Sequence, residues 1–214
     1  MKFLLSVLLL IFCVSINVEA KDHLIDDDDY YNQGVSHYDN GEFKKSFIVF
    51  FNLSEKGHKS SIHNLSNMYF EGIGTTQDYK LSLKYTWLCS LNGNKKCLRK
   101  VDKIIDKLIE DDVNQVAEVI ETMLEKKYIE NTDQHAAFKL AYWFEKISPE
   151  IDLEKSYLWY SVSVSTGNYK AMKLRDRVGD SIEKEVLTEL QKEAFDIFTK
   201  QKYLSDKDNT GDEL

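Results

Sequence analysis

The sequence predicts an all-α fold: an α-α superhelix (solenoid) of helix-loop-helix repeats closed by helical caps. Three observations carry this prediction. First, a pattern recurs at a fixed interval. Phe43, Ser46, Phe47, Leu53, Ser54, Gly57 and His58 return 36 positions later as Tyr79, Ser82, Leu83, Cys89, Ser90, Gly93 and Asn94. The pattern returns again at Asp152, Leu153, Ser156, Trp159, Tyr160, Ser163, Gly167 and Asn168, with Gly167 74 residues after Gly93, about two periods. A period of this size marks units that bury their apolar faces only by stacking. Second, apolar residues follow helical spacing, and no strand-like alternation of useful length occurs. Third, one Pro and nine Gly leave few helix breakers, and a hydrophobic content of 43% in 214 residues allows one sizeable helical domain.

In chain order, residues 1–20 read as a secretory signal peptide. Lys2 is the basic start, Phe3 to Ile16 the apolar core, and Val18-Glu19-Ala20 the small-residue cleavage signal. The apolar run is shorter than the roughly 20 residues that span a bilayer. Cys13 belongs to that core and leaves with it. No later apolar run reaches spanning length, so no membrane insertion is expected after signal removal. The net charge of −8 argues against a nucleic-acid partner. Asp26-Asp27-Asp28-Asp29 invites a cation-site reading, but consecutive carboxylates lack calcium-loop geometry. They are better read as charges favouring the N-terminus of a helix that begins near Tyr30.

Residues 27–130 then hold two repeats and a helical cap. In the second repeat, Ile62, Leu65, Ser66 and Tyr69 form the stripe of one helix, and Tyr79, Leu83, Tyr85, Leu88 and Cys89 that of the next. Gly93 stands where a helix needs a left-handed residue just past its end. The cap carries Leu98, Val101, Ile104, Ile105, Leu108 and Ile109, a break at Asp111-Asp112, and then Val113, Val116, Ala117, Ile120, Met123 and Leu124. Residues 133–203 hold one further repeat and cap. Ala137, Leu140, Ala141 and Phe144 line its first helix, which Ser148-Pro149-Glu150 ends, because the residue before Pro avoids the helical region. Val178, Ile182, Val186, Leu190, Ala194 and Ile197 follow 77 residues after Val101, Ile105, Ile109, Val113, Ala117 and Ile120. Residues 204–214 are expected to be a disordered acidic tail.

The run Leu65, Ser66, Tyr69, Gly72, Gly74, Gln77-Asp78-Tyr79, Ser82, Cys89-Ser90 and Gly93-Asn94 resembles the Sel-one-like repeat, a relative of the tetratricopeptide repeat. The first unit, with Gly34, Gly41, Phe43, Ser46 and Leu53, is nearer the tetratricopeptide pattern. The departure is that Ser or Cys stands where that family has Ala or Gly. The resemblance implies a concave groove lined by the first helix of each pair. Its candidate positions are Tyr31, Val35 and Tyr38; His63, Asn67 and Phe70; Phe138, Tyr142 and Glu145. Each trio is spaced i, i+4, i+7, one helix face. Aromatic residues at such positions serve as interface anchors.

Catalytic motifs are scarce. G-x-x-x-x-G-K-[ST], H-E-x-x-H and G-x-S-x-G are missing from the sequence. Ser181-Ile182-Glu183-Lys184 matches the S-x-x-K box of penicillin-binding enzymes without its S-D-N or K-T-G companions. His58 and His63 are five apart, one more than aligns two metal ligands on a helix face. No catalytic residue, cofactor or metal is therefore expected. Asn52 and Asn64 open glycosylation sequons inside packed helices. Gly211-Asp212-Glu213-Leu214 ends like an endoplasmic-reticulum retrieval signal, though its first position departs from the usual residue.

Signal removal leaves Cys89 and Cys97, an even count in an oxidising compartment. Asn92-Gly93-Asn94 reverses the chain between them and sets their helices side by side, within disulfide reach. The segment also resembles the Helicobacter cysteine-rich branch of this repeat family, where two Cys eight apart staple successive repeats. The match covers one repeat. A Cys89–Cys97 disulfide is the expectation. The functional expectation is an exported scaffold that binds a protein or peptide in the cell envelope, in the periplasm or secreted from a bacterium. An enzyme acting on peptidoglycan or β-lactams is one alternative. An adaptor in the endoplasmic-reticulum lumen of a eukaryote is the other.

Overall fold

The computed structural model describes residues 26–130 and 133–209, with side chains through residue 203. The expected signal peptide and the last five residues lie outside the described residues. Among the described residues there are helices and connections and no strand. The chain is an all-α superhelix of stacked helix pairs.

Helices α1 (Asp27–Asp39), α2 (Phe43–Glu55), α3 (Lys59–Glu71) and α4 (Tyr79–Leu91) pack in series, each on the next. Asp27, Asp28 and Asp29 occupy the first turn of α1, where the helix dipole favours negative charge. Lys56 at the end of α2 pairs with Asp27 at 2.6 Å. Gly34 lets α2 approach closely: a Cβ there would stand 2.8 Å from the side chains of Phe50 and Val49.

The second helix of each repeat is built alike. α2, α4 and α9 (Leu153–Ser165) are each 13 residues long. Ser46, Ser82 and Ser156 occupy matching sites and are fully buried, so a small residue sits where neighbouring helices crowd. The Ser82 hydroxyl donates to the Ser66 carbonyl of α3 at 2.8 Å. Each helix ends in a Schellman turn. Gly57, Gly93 and Gly167 have φ of 83°, 88° and 96°. Their N–H groups donate to Ser54, Ser90 and Val164, and the following N–H groups of His58, Asn94 and Asn168 to Leu53, Cys89 and Ser163. The sequence repeat is thus a backbone repeat.

The first cap does not break the stack. α4 contacts α5 (Lys95–Leu98), α6 (Val101–Ile105) and α7 (Glu110–Ile129), and α7 passes the packing on to α8 (Gln134–Tyr142). The helical break lies at residues 106–109, ahead of its expected place. Asp111 and Asp112 sit in the first turn of α7 instead. Ile109 caps that helix and is 66% exposed, so it leaves the apolar stripe assigned to it. α9 then packs against α8, α10 (Met172–Gly179) and α11 (Lys184–Asn209). α11 continues past the expected tail boundary at residue 203 to Asn209.

Two apolar cores meet at α4. Tyr85 and Cys89 face one core with Phe50, Leu53 and Leu65. Leu83, Trp87 and Leu91 face the other, which runs on through Ile120, Leu140, Trp143 and Tyr160 to Leu190. Trp87 meets Trp143 edge-on at 5.0 Å. α4 is apolar on two sides because it is buried on two sides. No helix of the described residues is long and apolar enough to cross a membrane.

Candidate functional site: a cleft between the first helices of the repeats

α1 and α3 are the first helices of adjacent repeats, and a cleft of about 350 Å³ opens between them. Tyr31, Val35 and Tyr38 line it from α1, and Asn67, Met68 and Glu71 from α3, over a floor made by Phe50. The i, i+4, i+7 spacing on α1 is the cause: three residues of one face reach one trough. Tyr31 packs against Phe50 and His58 at ring distances of 5.5 and 4.9 Å and accepts a hydrogen bond from Asn64 at 3.3 Å. Tyr38 is 39% exposed and meets Phe43 edge-on at 5.1 Å. The lining is mostly apolar, with amide groups of Asn64 and Asn67 from α3 and the Tyr31 hydroxyl from α1.

A second cleft, of about 340 Å³, adjoins the first across Tyr31 and Asn64 and reaches His63, Cys89 and Asn94. His58, at the start of α3, caps that helix through Nδ1 by accepting from the Ser61 N–H at 3.3 Å. His63 is half-buried, with Nε2 3.4 Å from Asn67 Nδ2. Burial, with the charges of Lys100 and Lys96, pushes its imidazole down from the ordinary range, which favours the neutral ring. Lys100 donates to Asn67 Oδ1 at 2.6 Å. Burial likewise pushes the Lys100 ammonium down, with Glu71 opposing and Lys103 assisting. The Cys89–Cys97 disulfide is present, with its Cα atoms 5.9 Å apart. It ties the end of α4 to α5 beneath this second cleft.

Four candidate groove residues lie outside the two clefts. Phe70 is 7% exposed and joins the core, tilted against Tyr79 at 5.5 Å beneath the ammonium groups of Lys100 and Lys103. Tyr79 and the side chains of Lys100 and Lys103 cover its ring. Glu145 is also buried. Trp143–Ile147 is a π-helical turn, closed by the Ser148 N–H donating to the Trp143 carbonyl at 2.9 Å. The wider turn advances each residue by a smaller angle than an α-helix does, so Glu145 rotates out of line with Phe138 and Tyr142. Its carboxylate accepts from the Tyr160 hydroxyl at 2.8 Å, from Arg177 at 2.8 Å and from Lys146 at 2.7 Å. Phe138 is half-buried edge-on to Tyr160 at 5.7 Å, and Tyr142 is half-buried; both lie outside the two clefts. The third trio therefore does not extend the trough.

Two features escaped the sequence reading. Asn64 and Glu71 lie on the cleft face of α3, and their spacing from Asn67 of three and four residues was the available signal. A third cleft, of about 700 Å³, lies between α7, the Ser148–Asp152 loop and the start of α11. Glu118, Glu121, Glu150, Asp152 and Glu183 make it acidic, and no local motif announces it. Ser181 lines this cleft from the turn before α11 rather than from within a helix.

No family model matches the chain, and no curated protein matches it. Among solved structures, the chain is similar to a protective antigen present in uropathogenic Escherichia coli strains and described as displaying an SLR fold. The likeness has a TM-score of 0.36 at 10% sequence identity and covers 89% of this chain and 50% of that one. The chain thus spans about half the length of that protein.

Proposed function

We propose that this chain is an exported helical-repeat scaffold whose trough between α1 and α3 binds a segment of a protein or peptide partner in the cell envelope. The observation that carries the reading is the composition of that trough. It combines apolar walls for side chains with the amides of Asn64 and Asn67 for a backbone, in a cleft of about 350 Å³. Concave sites with apolar linings and a few convergent polar groups suit such ligands. The resemblance of the repeats to the Sel-one-like class supports a scaffold role. The Cys89–Cys97 bond supports export, because disulfides persist in oxidising compartments. Assignment of a non-enzymatic role rests on the lone Ser181 box, which has neither of its companions.

The test is direct binding. A partner captured from the native cell envelope by the mature chain is purified and titrated against wild type and against a Val35→Arg/Tyr38→Ala double variant. Both residues are at least partly exposed, so helical content should hold. Affinity is expected to fall at least about fivefold, the effect of losing one anchor worth more than about 1 kcal/mol. Unchanged affinity would place the interface elsewhere.

A further inference from the structure

Among the described residues, His63, Cys89 and Cys97 form a cluster whose possible ligand atoms all lie within 4.8 Å of one another. His63 Nδ1 stands 3.2 Å from Cys97 Sγ and 3.9 Å from Cys89 Sγ. These atoms come from three separate helices, α3, α4 and α5. The imidazole faces both sulfurs, not one.

We propose that the reduced chain binds one thiophilic, four-coordinate ion such as Zn²⁺ through Cys89, Cys97 and His63, so that the disulfide and the ion are alternative states of one site. The donor set is two sulfurs and one imidazole nitrogen, the chemistry that selects zinc over magnesium or calcium. Around a tetrahedral ion with bonds of about 2.3 Å, two thiolate sulfurs stand about 3.8 Å apart. The two Cα atoms, 5.9 Å apart, allow that opening by side-chain rotation. The fourth position would face the adjoining cleft of about 340 Å³, which admits a water molecule. Two thiolates neutralise a divalent ion, so the nearby Lys100 meets no net positive charge.

Entry to this state needs a reductant. A dithiol supplies two electrons and two protons to the Cys89–Cys97 bond, leaving two thiols and becoming a disulfide itself. The ion then binds as the two thiols release their protons to solvent. In the reverse step a disulfide oxidant accepts two electrons from the thiolates and two protons from solvent, becoming a dithiol; the Cys89–Cys97 bond re-forms, two ligands are lost and the ion is released. The ion would join α3 to α4 and α5, whereas the disulfide joins only α4 to α5.

The experiment uses the mature chain, reduced with a tertiary phosphine under anaerobic conditions and titrated with Co²⁺ as a spectroscopic probe, then with Zn²⁺ in competition with a chromophoric chelator. The expected result is one equivalent of tetrahedral cobalt with thiolate charge-transfer absorption, displaced by zinc. Zinc should also protect both thiols from alkylation. His63→Gln should shift the cobalt spectrum and weaken zinc binding by more than the roughly 10–100-fold that follows loss of a group merely supporting a ligand. Binding by the oxidised chain as tight as by the reduced chain would overturn the proposal. So would a missing thiolate band, an unprotected thiol pair, loss of helical circular dichroism on reduction, or unchanged affinity and spectrum in His63→Gln.

Discussion

Glu145 occupies a core position as a carboxylate, with a side chain only 3% exposed. Burial pushes its carboxyl up, but hydrogen bonds from Lys146, Tyr160 and Arg177 overcome that and hold it below the usual carboxylate range. The same arrangement pushes the Tyr160 hydroxyl up, through burial first, then its hydrogen bond to Glu145 and the Glu145 charge. A depressed carboxyl stabilises the fold above the unfolded pKa near 4.3, and that stability is lost as pH falls through the folded value. Glu145→Gln is therefore expected to cost about 2 kcal/mol at pH 7, within the range for charge-assisted bonds. The gap to wild type should close as pH drops below about 4. Denaturant unfolding across pH checks this, and a gap that stays constant with pH would remove the ionised carboxylate from the explanation.

At the scale of elements, the turns and the disulfide set how helices meet. Gly74, in the loop between α3 and α4, has φ of +75°, and a Cβ there would stand 2.4 Å from the Phe43 carbonyl oxygen. Gly167 also has positive φ, but a Cβ there would meet nothing within 4 Å. Gly167→Ala should therefore cost only the left-handed backbone penalty, about 1 kcal/mol. Gly74→Ala should cost clearly more, because α2 must also move. Thermal melts of the two variants give the comparison; equal losses would mean the loop shifts freely. The disulfide closes a short loop between residues eight apart, worth about 2–3 kcal/mol by chain entropy. Reduction is expected to lower the melting temperature of wild type, and Cys89→Ser should melt like reduced wild type under both conditions. A reductant effect on Cys89→Ser would point to some other cause.

At the scale of the whole molecule, the halves anticipated at 27–130 and 133–203 share one core. Ile120, Leu124 and Tyr128 of α7 are buried in the cluster that holds Leu140 and Trp159, and Tyr128 meets Trp159 edge-on at 5.7 Å. Burial also pushes the Tyr128 hydroxyl up to about 12. A fragment ending at residue 130 would bare this face. It is expected to bind a hydrophobic dye and to unfold well below the full chain. A fragment as stable as the full chain, with no dye binding, would make the first half an independent unit.

Much of the architecture was legible in the chain itself. The 36-residue recurrence aligned Ser46 with Ser82 and Gly57 with Gly93, and Gly93 was read as the left-handed residue after a helix, because that requirement is local. The helical spacing of Tyr31, Val35 and Tyr38 placed them on one face for the same reason. Cysteine count and the Asn92-Gly93-Asn94 reversal anticipated the disulfide. What the tertiary structure decided lay in how separate elements meet. The burial of Phe70 depends on Tyr79, Lys100 and Lys103 meeting its ring, and that of Glu145 on a π-turn and on Arg177, 32 residues away. The meeting of His63 with Cys97, 34 residues apart, depends on the packing of α3 against the end of α4 and α5. Local periodicity states which face of a helix is apolar. Which neighbour covers that face is determined by the packing of the whole stack.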